Sequence, residues 1–176
     1  MLLRAYKFRF YPNPEQIHRL EGMLDSCRFL YNSALQERQY AYQAGKPITC
    51  FEQIKELPQI REALPDYRNI HSQVLQDVLR RLEKAFQNYF RRVNERKGKV
   101  GYPRFKPKWR YKSFTNPQSG FKILVNGHVN LSKIGKLRVF MHRKILGTIK
   151  TLTAGRDRVV TSFTNSPKFL WIGRTI

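Results

Sequence analysis

The sequence predicts an α+β fold: a small β-barrel completed by the N-terminal strand and interrupted by an inserted helical module. Three observations carry this. The chain opens on an alternating strand, continues through about 80 residues of helical periodicity, and ends in a series of short apolar segments spaced like strands. At 176 residues the chain can bury a core, and its 41% hydrophobic and 13% aromatic content excludes wholesale disorder.

Residues 2–10 read as a strand. Tyr6, Phe8 and Phe10 share one face, while Ala5, Lys7 and Arg9 share the other. Tyr11-Pro12 stops it. Asn13 then supplies an N-cap, Pro14 the first helical residue and Gln16 the third, the pattern of a capping box. Ile17, Leu20, Leu24, Cys27, Tyr31 and Leu35 follow at steps of three and four, so the helix runs to about Tyr42 and ends at Gly45-Lys46-Pro47. A short amphipathic piece carries Phe51, Ile54 and Leu57 on one face and is closed by Pro58. Residues 59–69 are expected to hold little more than a helical turn. A helix over 70–95 then buries Leu75, Leu79, Leu82, Phe86, Tyr89 and Val93. It turns Gln73, Gln76, Arg80, Lys84, Gln87 and Arg91 outward.

Residues 96–119 change character and are expected to be extended or irregular, with three prolines. Beyond them, Lys122–Val125 and His128–Leu131 flank Asn126-Gly127, a favoured hairpin turn. Leu137–Met141, Thr148–Thr153, Val159–Phe163 and Phe169–Ile172 complete the strand set.

The charge is as informative as the periodicity. The formal net charge is +22. Residues 1–95 contribute +4, from 15 Lys and Arg against 11 Asp and Glu; residues 96–176 contribute +18, with Asp157 their sole acid. So one-sided a charge is relieved by a polyanion, and nucleic acid is the expected partner. An anionic membrane is the weaker alternative, because no segment is a long basic amphipathic helix with a fully apolar reverse face. No apolar run approaches the length of a membrane span and no signal peptide opens the chain, so the expected location is the cytoplasm, beside the nucleoid.

The densest signal is 96–112, with eight Lys and Arg, no acid, and Tyr102, Phe105, Trp109 and Tyr111 interleaved. Cations there suit phosphates and rings suit unpaired bases, although rings in a basic linker also plug into cores. Candidate backbone or stacking contacts are Lys7, Arg9, Arg80, Lys84, Arg104, Phe105, Lys106, Lys108, Trp109, Arg110, Tyr111 and Lys112. On the long helix, Gln73 and Gln76 could bond base edges in a groove, and a solvated face is the alternative.

Catalysis has little support. A two-metal nuclease needs converging carboxylates, and the second half of the chain has one acid. Cys27 and Cys50 cannot form a four-ligand zinc site alone, and His18, His71, His128 and His142 share no ligand spacing with them. The chain by itself is not expected to be an enzyme or to hold a cofactor or metal.

Three segments, RAYKFRFYPNPEQ with CRFLYNSAL, then LQDVLRRLEKAFQNYFRR, then GYPRFKPKWRYKSFT, carry a family resemblance. Over roughly residues 2–153 the chain resembles the N-terminal half of the OrfB transposase-like proteins, the TnpB-type RNA-guided nucleases of insertion sequences. The resemblance implies a wedge-type, OB-like barrel built from residues 1–12 and 120–176. It implies a recognition lobe over 13–95, a basic aromatic loop over 96–119, and binding of structured guide RNA and of duplex DNA beside the target. Positions matching the family's motif readers are Phe51, Ser72, Gln73, Gln76, Thr115 and Asn116. Full-length members add a RuvC-like nuclease domain that opens on Gly-Ile-Asp-Xaa-Gly and carries paired CxxC motifs. Neither pattern occurs in these 176 residues, and after Thr153 the family pattern lapses. The expected function is therefore the nucleic-acid-binding portion without its own nuclease site. Half of a split nuclease completed by a separate polypeptide, and a general basic RNA-binding protein, are the alternatives.

Overall fold

Eleven elements are present in the computed structural model, which describes residues 4–95, 100–124, 127–156 and 169–175. Strand β1 (Arg4–Tyr11) leads into α1 (Pro14–Gln43), α2 (Cys50–Ala63), the single turn α3 (Pro65–Arg68) and α4 (Ser72–Asn94). Strands β2 (Ser113–Pro117), β3 (Phe121–Leu124), β4 (His128–Leu131), β5 (Gly135–Phe140), β6 (Ile149–Arg156) and β7 (Phe169–Thr175) follow. The strand expected over Val159–Phe163 lies outside the described residues, as do Arg96 to Lys99 and Asn126.

The helix starts are where cap chemistry puts them. Asn13 Oδ1 accepts the Gln16 N–H at 2.8 Å and Gln16 Oε1 accepts the Asn13 N–H at 3.1 Å. At the far end Gly45 takes φ +72°, and the Lys46 N–H reaches the Ala41 carbonyl at 2.9 Å, a Schellman closure that needs the left-handed residue. Thr49 and Glu52 form a second capping box on α2.

Two expectations need correction here. Pro58 does not close α2: the helix passes through it to Ala63. Its lost N–H costs one bond, while the Thr49 box holds one end, the Leu64 N–H to Ile60 carbonyl bond the other, and the middle buries Leu57 in a helix packed on α4. The buried face of α2 is also rotated, presenting Gln53 and Leu57 to the core and leaving Phe51 exposed. Gln53 is buried because it is satisfied. Its Oε1 accepts from Arg38 Nε at 2.8 Å, and its Nε2 donates to the Ala34 carbonyl and Glu37. Arg38 goes on to Glu83 at 2.7 Å, joining α1, α2 and α4 in one polar knot.

The strands form one antiparallel sheet in the order β2-β6-β7-β1-β5-β4-β3. Residues 113–117, expected to be irregular, are an edge strand paired with β6, where Pro117 forfeits little because its N–H side need not be paired. The sheet curls into a half barrel, and chain connectivity demands it. β2 and β3 are the two edges, about 29 Å apart in a flat sheet of this width. Yet only Gln118, Ser119 and Gly120 join them, a link that reaches about 14 Å at most. The edges must approach each other at that turn. Gly120, at φ +84°, sits there with its carbonyl accepting the Ser132 N–H at 2.8 Å.

One face of the sheet is core: Phe8 and Phe10 of β1, Phe114 of β2, Val129 and Leu131 of β4, Leu137 and Val139 of β5, Leu152 and Ala154 of β6. It continues into the α1–α4 interface through Leu20, Leu24, Cys27, Leu75, Leu79 and Leu82. Among the described residues no helix is long and apolar enough to cross a membrane.

Arg81 bolts the helices to the sheet. Its Nε donates to Asp77 Oδ2 at 2.7 Å, Nη1 to the Ser113 carbonyl at 2.6 Å, and Nη2 to Thr115 Oγ1. Replacing Arg81 by Met keeps the aliphatic stem but leaves Asp77 unpaired and the β2 acceptors unmet. That should cost about 2 to 3 kcal/mol, read as a lower urea midpoint at constant slope. Arg19→Met, at the exposed Arg19–Glu15 pair, should cost under about 1 kcal/mol.

Candidate nucleic-acid interface

The predicted motif readers fall into one corner with one outlier. Ser72, Gln73 and Gln76 lie on the first turns of α4, and Thr115 and Asn116 on the strand packed beside it. The corner is tied by Gln73, whose Oε1 accepts both the N–H and the hydroxyl of Ser119, at 3.2 and 2.7 Å. A bidentate contact to adenine needs that same carbonyl, so Gln73 is committed to holding the turn. Thr115 Oγ1 is held by Arg81 and by Thr153 Oγ1 at 2.9 Å. Asn116 is 3% exposed and cannot touch a base edge: it lies beside Gly120, where an added Cβ would stand 2.9 Å from Asn116 Oδ1. That leaves Ser72 and Gln76, both partly exposed, as the two that face outward. Phe51 is the outlier. Two residues on, Gln53 joins the Arg38–Glu83 knot, placing this end of α2 ten residues, about 15 Å, along α4 from Gln73.

The cap of this corner is a histidine that spacing did not single out. His71 is the N-cap of α4, its Nδ1 accepting the Gln73 N–H at 3.3 Å, and its ring would meet a Cβ at Gly120 at 3.1 Å. Burial, then the Arg61 and Lys133 charges, hold its pKa below the usual imidazole value.

The basic segment divides into anchors and free surface. Asn32 clamps the backbone of Lys106, accepting its N–H at 2.8 Å and donating to its carbonyl at 3.1 Å. The Lys106 ammonium lies 5.3 Å from the Tyr31 ring centre, its pKa lowered by burial and by Arg110 and Arg81. Lys108 pairs with Asp25 at 2.9 Å. Tyr111 is 6% exposed, packed against Tyr31 with its pKa driven upward by burial, so its ring offers no face to a base. Tyr102 packs edge-on to Phe86 and Tyr89 but stays 41% exposed. Packing against α1 claims the Tyr111 ring, while contacts with α4 take only part of Tyr102. Arg104, Phe105, Trp109 and Arg110 remain outside, with the Arg110 guanidinium 5.5 Å from the centre of the Trp109 ring, itself 62% exposed. The carbonyl of Lys112 receives the Arg156 N–H at 2.8 Å.

The remaining cations are spread over two other surfaces. Arg80 and Lys84 are exposed on α4, and Lys7 and Arg9 on the outer face of β1. Next to Arg9, strand β5 adds Arg138, which the sequence reading passed over. Cys27 is sealed in the core, its thiol pKa pushed up to about 12 by burial. Among the described residues no group of three or more His, Cys, Asp or Glu is placed to hold a metal ion.

Similarity to known proteins agrees with this surface. A family model described as a helix-turn-helix domain, of the OrfB IS605 type, matches residues 1–47. Over 158 residues the chain is 29% identical to the "Putative RNA-guided DNA endonuclease InsQ" of Escherichia coli strain K12, covering 88% of this chain and 38% of that one. A "Putative RNA-guided DNA endonuclease" of Streptomyces pristinaespiralis is 28% identical over 168 residues, covering 88% and 39%. "Virulence protein VsdF" of Salmonella dublin is 32% identical over 120 residues, covering 61% of this chain and 95% of its own length.

The chain belongs to the OrfB, TnpB-type family.

It spans about two fifths of the length of the two endonuclease-named relatives. Among the described residues 4–47 this TnpB-type chain has a strand and one unbroken 30-residue helix, not two helices joined by a turn. A recognition helix of the helix-turn-helix kind is therefore not formed by that segment alone.

A neutral His71 is what the α4 cap requires, because protonation would turn its acceptor into a donor. Its depressed pKa means that its stabilising effect is complete above about 6.5 and is lost as pH falls below that value. Urea midpoints at about pH 7.5 and about pH 5.5 should show this loss, and His71→Asn, a cap that does not titrate there, should flatten it.

Proposed function

We propose that this chain is the nucleic-acid-binding portion of a TnpB-type protein, holding a structured guide RNA and the duplex DNA beside the target, with cleavage supplied by carboxylates outside these residues. One observation carries the reading. The acid-poor half of the chain folds into a sheet and an aromatic basic loop that pack on α4, strand β2 along the helix and the loop beside Ala85 and Phe86, and exposed cations stand on α4, on the loop and on the outer face of β1 and β5 with few acids to meet them.

In this reading the half barrel is the wedge-type, OB-like barrel of the family, formed by residues 1–12 with 120–176 and joined by strand β2 (Ser113–Pro117). Residues 13–95 are the recognition lobe and 96–112 the connecting loop. Gln76 reads a base edge with Ser72 beside it, while Gln73, Thr115 and Asn116 hold the corner in shape. Phe51 stacks at the far end of α2. Arg80 and Lys84 take DNA phosphates, and Arg104, Phe105, Trp109 and Arg110 take the RNA. The carboxylates that complete the activity lie outside residues 1–176, with a separate nuclease polypeptide as the alternative source, and the work is done beside the cell's DNA.

Binding of the full chain to structured RNA across a salt series tests this. The expected log–log slope is steep, and a slope below about 3 overturns the electrostatic account. Gln76→Ala should lose about 1 to 3 kcal/mol of preference between duplex motifs. Arg80→Gln or Lys84→Gln should instead weaken all sequences equally and each lower the slope by about one.

A further inference from the structure

The outer face of the sheet carries a constellation that the corner and the loop do not use. β1 alternates strictly: Tyr6, Phe8 and Phe10 are buried, while Lys7, Arg9 and Tyr11 are exposed. β5 does the same, burying Leu137 and Val139 and exposing Lys136, Arg138 and Phe140. The two strands are antiparallel, with Arg9 opposite Phe140 and Tyr11 opposite Arg138. Opposite residues share a face, so each cross-strand pair sets one ring opposite one arginine, and the two pairs alternate. Tyr11 and Phe140 are diagonal neighbours, close enough to receive consecutive bases of an extended strand.

Both rings are open to solvent, Tyr11 at 50% and Phe140 at 60% exposure. Phe140 is also steadied: its ring lies 6.2 Å from that of His142, at 30° to it. Tyr11, Gly127, His128, Arg138, Val139 and Phe140 line a cavity of about 540 Å³, a volume that accepts a nucleoside. Gly127 contributes backbone only, which keeps that wall low. β1, β3, β4 and β5 contain no Asp or Glu, and Lys122 and Lys136 continue the positive face across the sheet.

We propose that this face of β1 and β5 is a stacking ledge for unpaired RNA, with Tyr11 and Phe140 as platforms for two bases and Arg9 and Arg138 on the phosphates between them. It rests on the nucleic-acid reading above and adds the form of the ligand. A duplex hides its base faces in its own stack, so two open rings on a sheet gain nothing from it. A loop or end of a structured RNA offers splayed bases, and the ring–cation alternation matches base and phosphate in turn. The alternative occupant, a displaced DNA strand, presents the same bases without the 2′-hydroxyls.

The test is fluorescence anisotropy on the full chain with an unstructured oligouridine of about 12 nucleotides. An oligodeoxythymidine and a duplex RNA of the same length are the other arms. Tyr11→Ala and Phe140→Leu should each weaken oligouridine binding at least about 5-fold, with duplex RNA unchanged. Tyr11→Phe and Phe140→Tyr, which keep the rings, should retain affinity. Arg138→Gln should lower the salt slope for oligouridine by about one. Phe140→Trp supplies a readout independent of affinity: oligouridine should quench its fluorescence beyond the change seen in the unsubstituted chain.

Equal losses on single strand and duplex, no loss on either, or an unquenched Trp at 140 overturns the ledge. Oligodeoxythymidine bound as tightly as oligouridine overturns the assignment to RNA. Failure of the scaffold reading looks different. A shallow salt slope for structured RNA, with ring-dependent oligouridine binding intact, removes that reading and leaves the ledge standing.

Discussion

The curl of the sheet is set by a three-residue link, and the rest of the structure depends on it. Strands adjacent in sequence but at opposite edges of a seven-stranded order can be joined by Gln118, Ser119 and Gly120 only if the edges meet. The helical lobe is fastened at the same place. Gln73 holds Ser119, His71 and Asn116 close around Gly120, and two turns along α4 the Arg81 fork grips the β2 backbone and Thr115. Barrel curvature and the direction in which α4 presents Ser72 and Gln76 are thus fixed by one set of contacts.

This arrangement separates residues that hold shape from residues left to bind. Polar side chains near the corner are mostly spent on the protein: Gln73 on the turn, Thr115 on Arg81 and Thr153, Arg81 on β2, Arg38 and Gln53 on the helix knot, with Asn116 buried beside Gly120. Buried polar groups persist only when paired, so these pairings were the condition for placing such residues inside. The outward cations have few acids to meet, because the second half of the chain contains a single one. Lys108 finds Asp25 and Arg156 finds Glu21, both on α1. The helical half thereby supplies the counter-charges that dock the basic half on it.

Much of the architecture was legible in the chain. The alternation of Lys7 and Arg9 with Phe8 and Phe10, the Asn13–Gln16 box and the leucine spacing of α4 each follow from local rules that tertiary packing reinforced. Pro58 was misleading because a proline costs a helix one bond, and α2 had caps and a buried Leu57 to offset it. β2 was hidden because Pro117 and the basic run before it look like a loop, and an edge strand tolerates both. For the site, residue types were readable but their allocation was not. Tyr111 and Trp109 stand two apart in the same basic segment, yet one is core and the other surface.

The sequence by itself determined the order of strand, helices and strands, the caps, the asymmetry of charge and the family to which the chain belongs. Those are encoded in neighbours a few residues apart or in sums over the chain. Only the tertiary structure decided which polar residues are spent on the fold and which face outward. It alone brought Tyr11 and Phe140 onto adjacent strands, 129 positions apart, and set Gln73 against Ser119. Pairings of that separation depend on strand register and on the closure of the sheet, and neither is written in any local stretch of the chain.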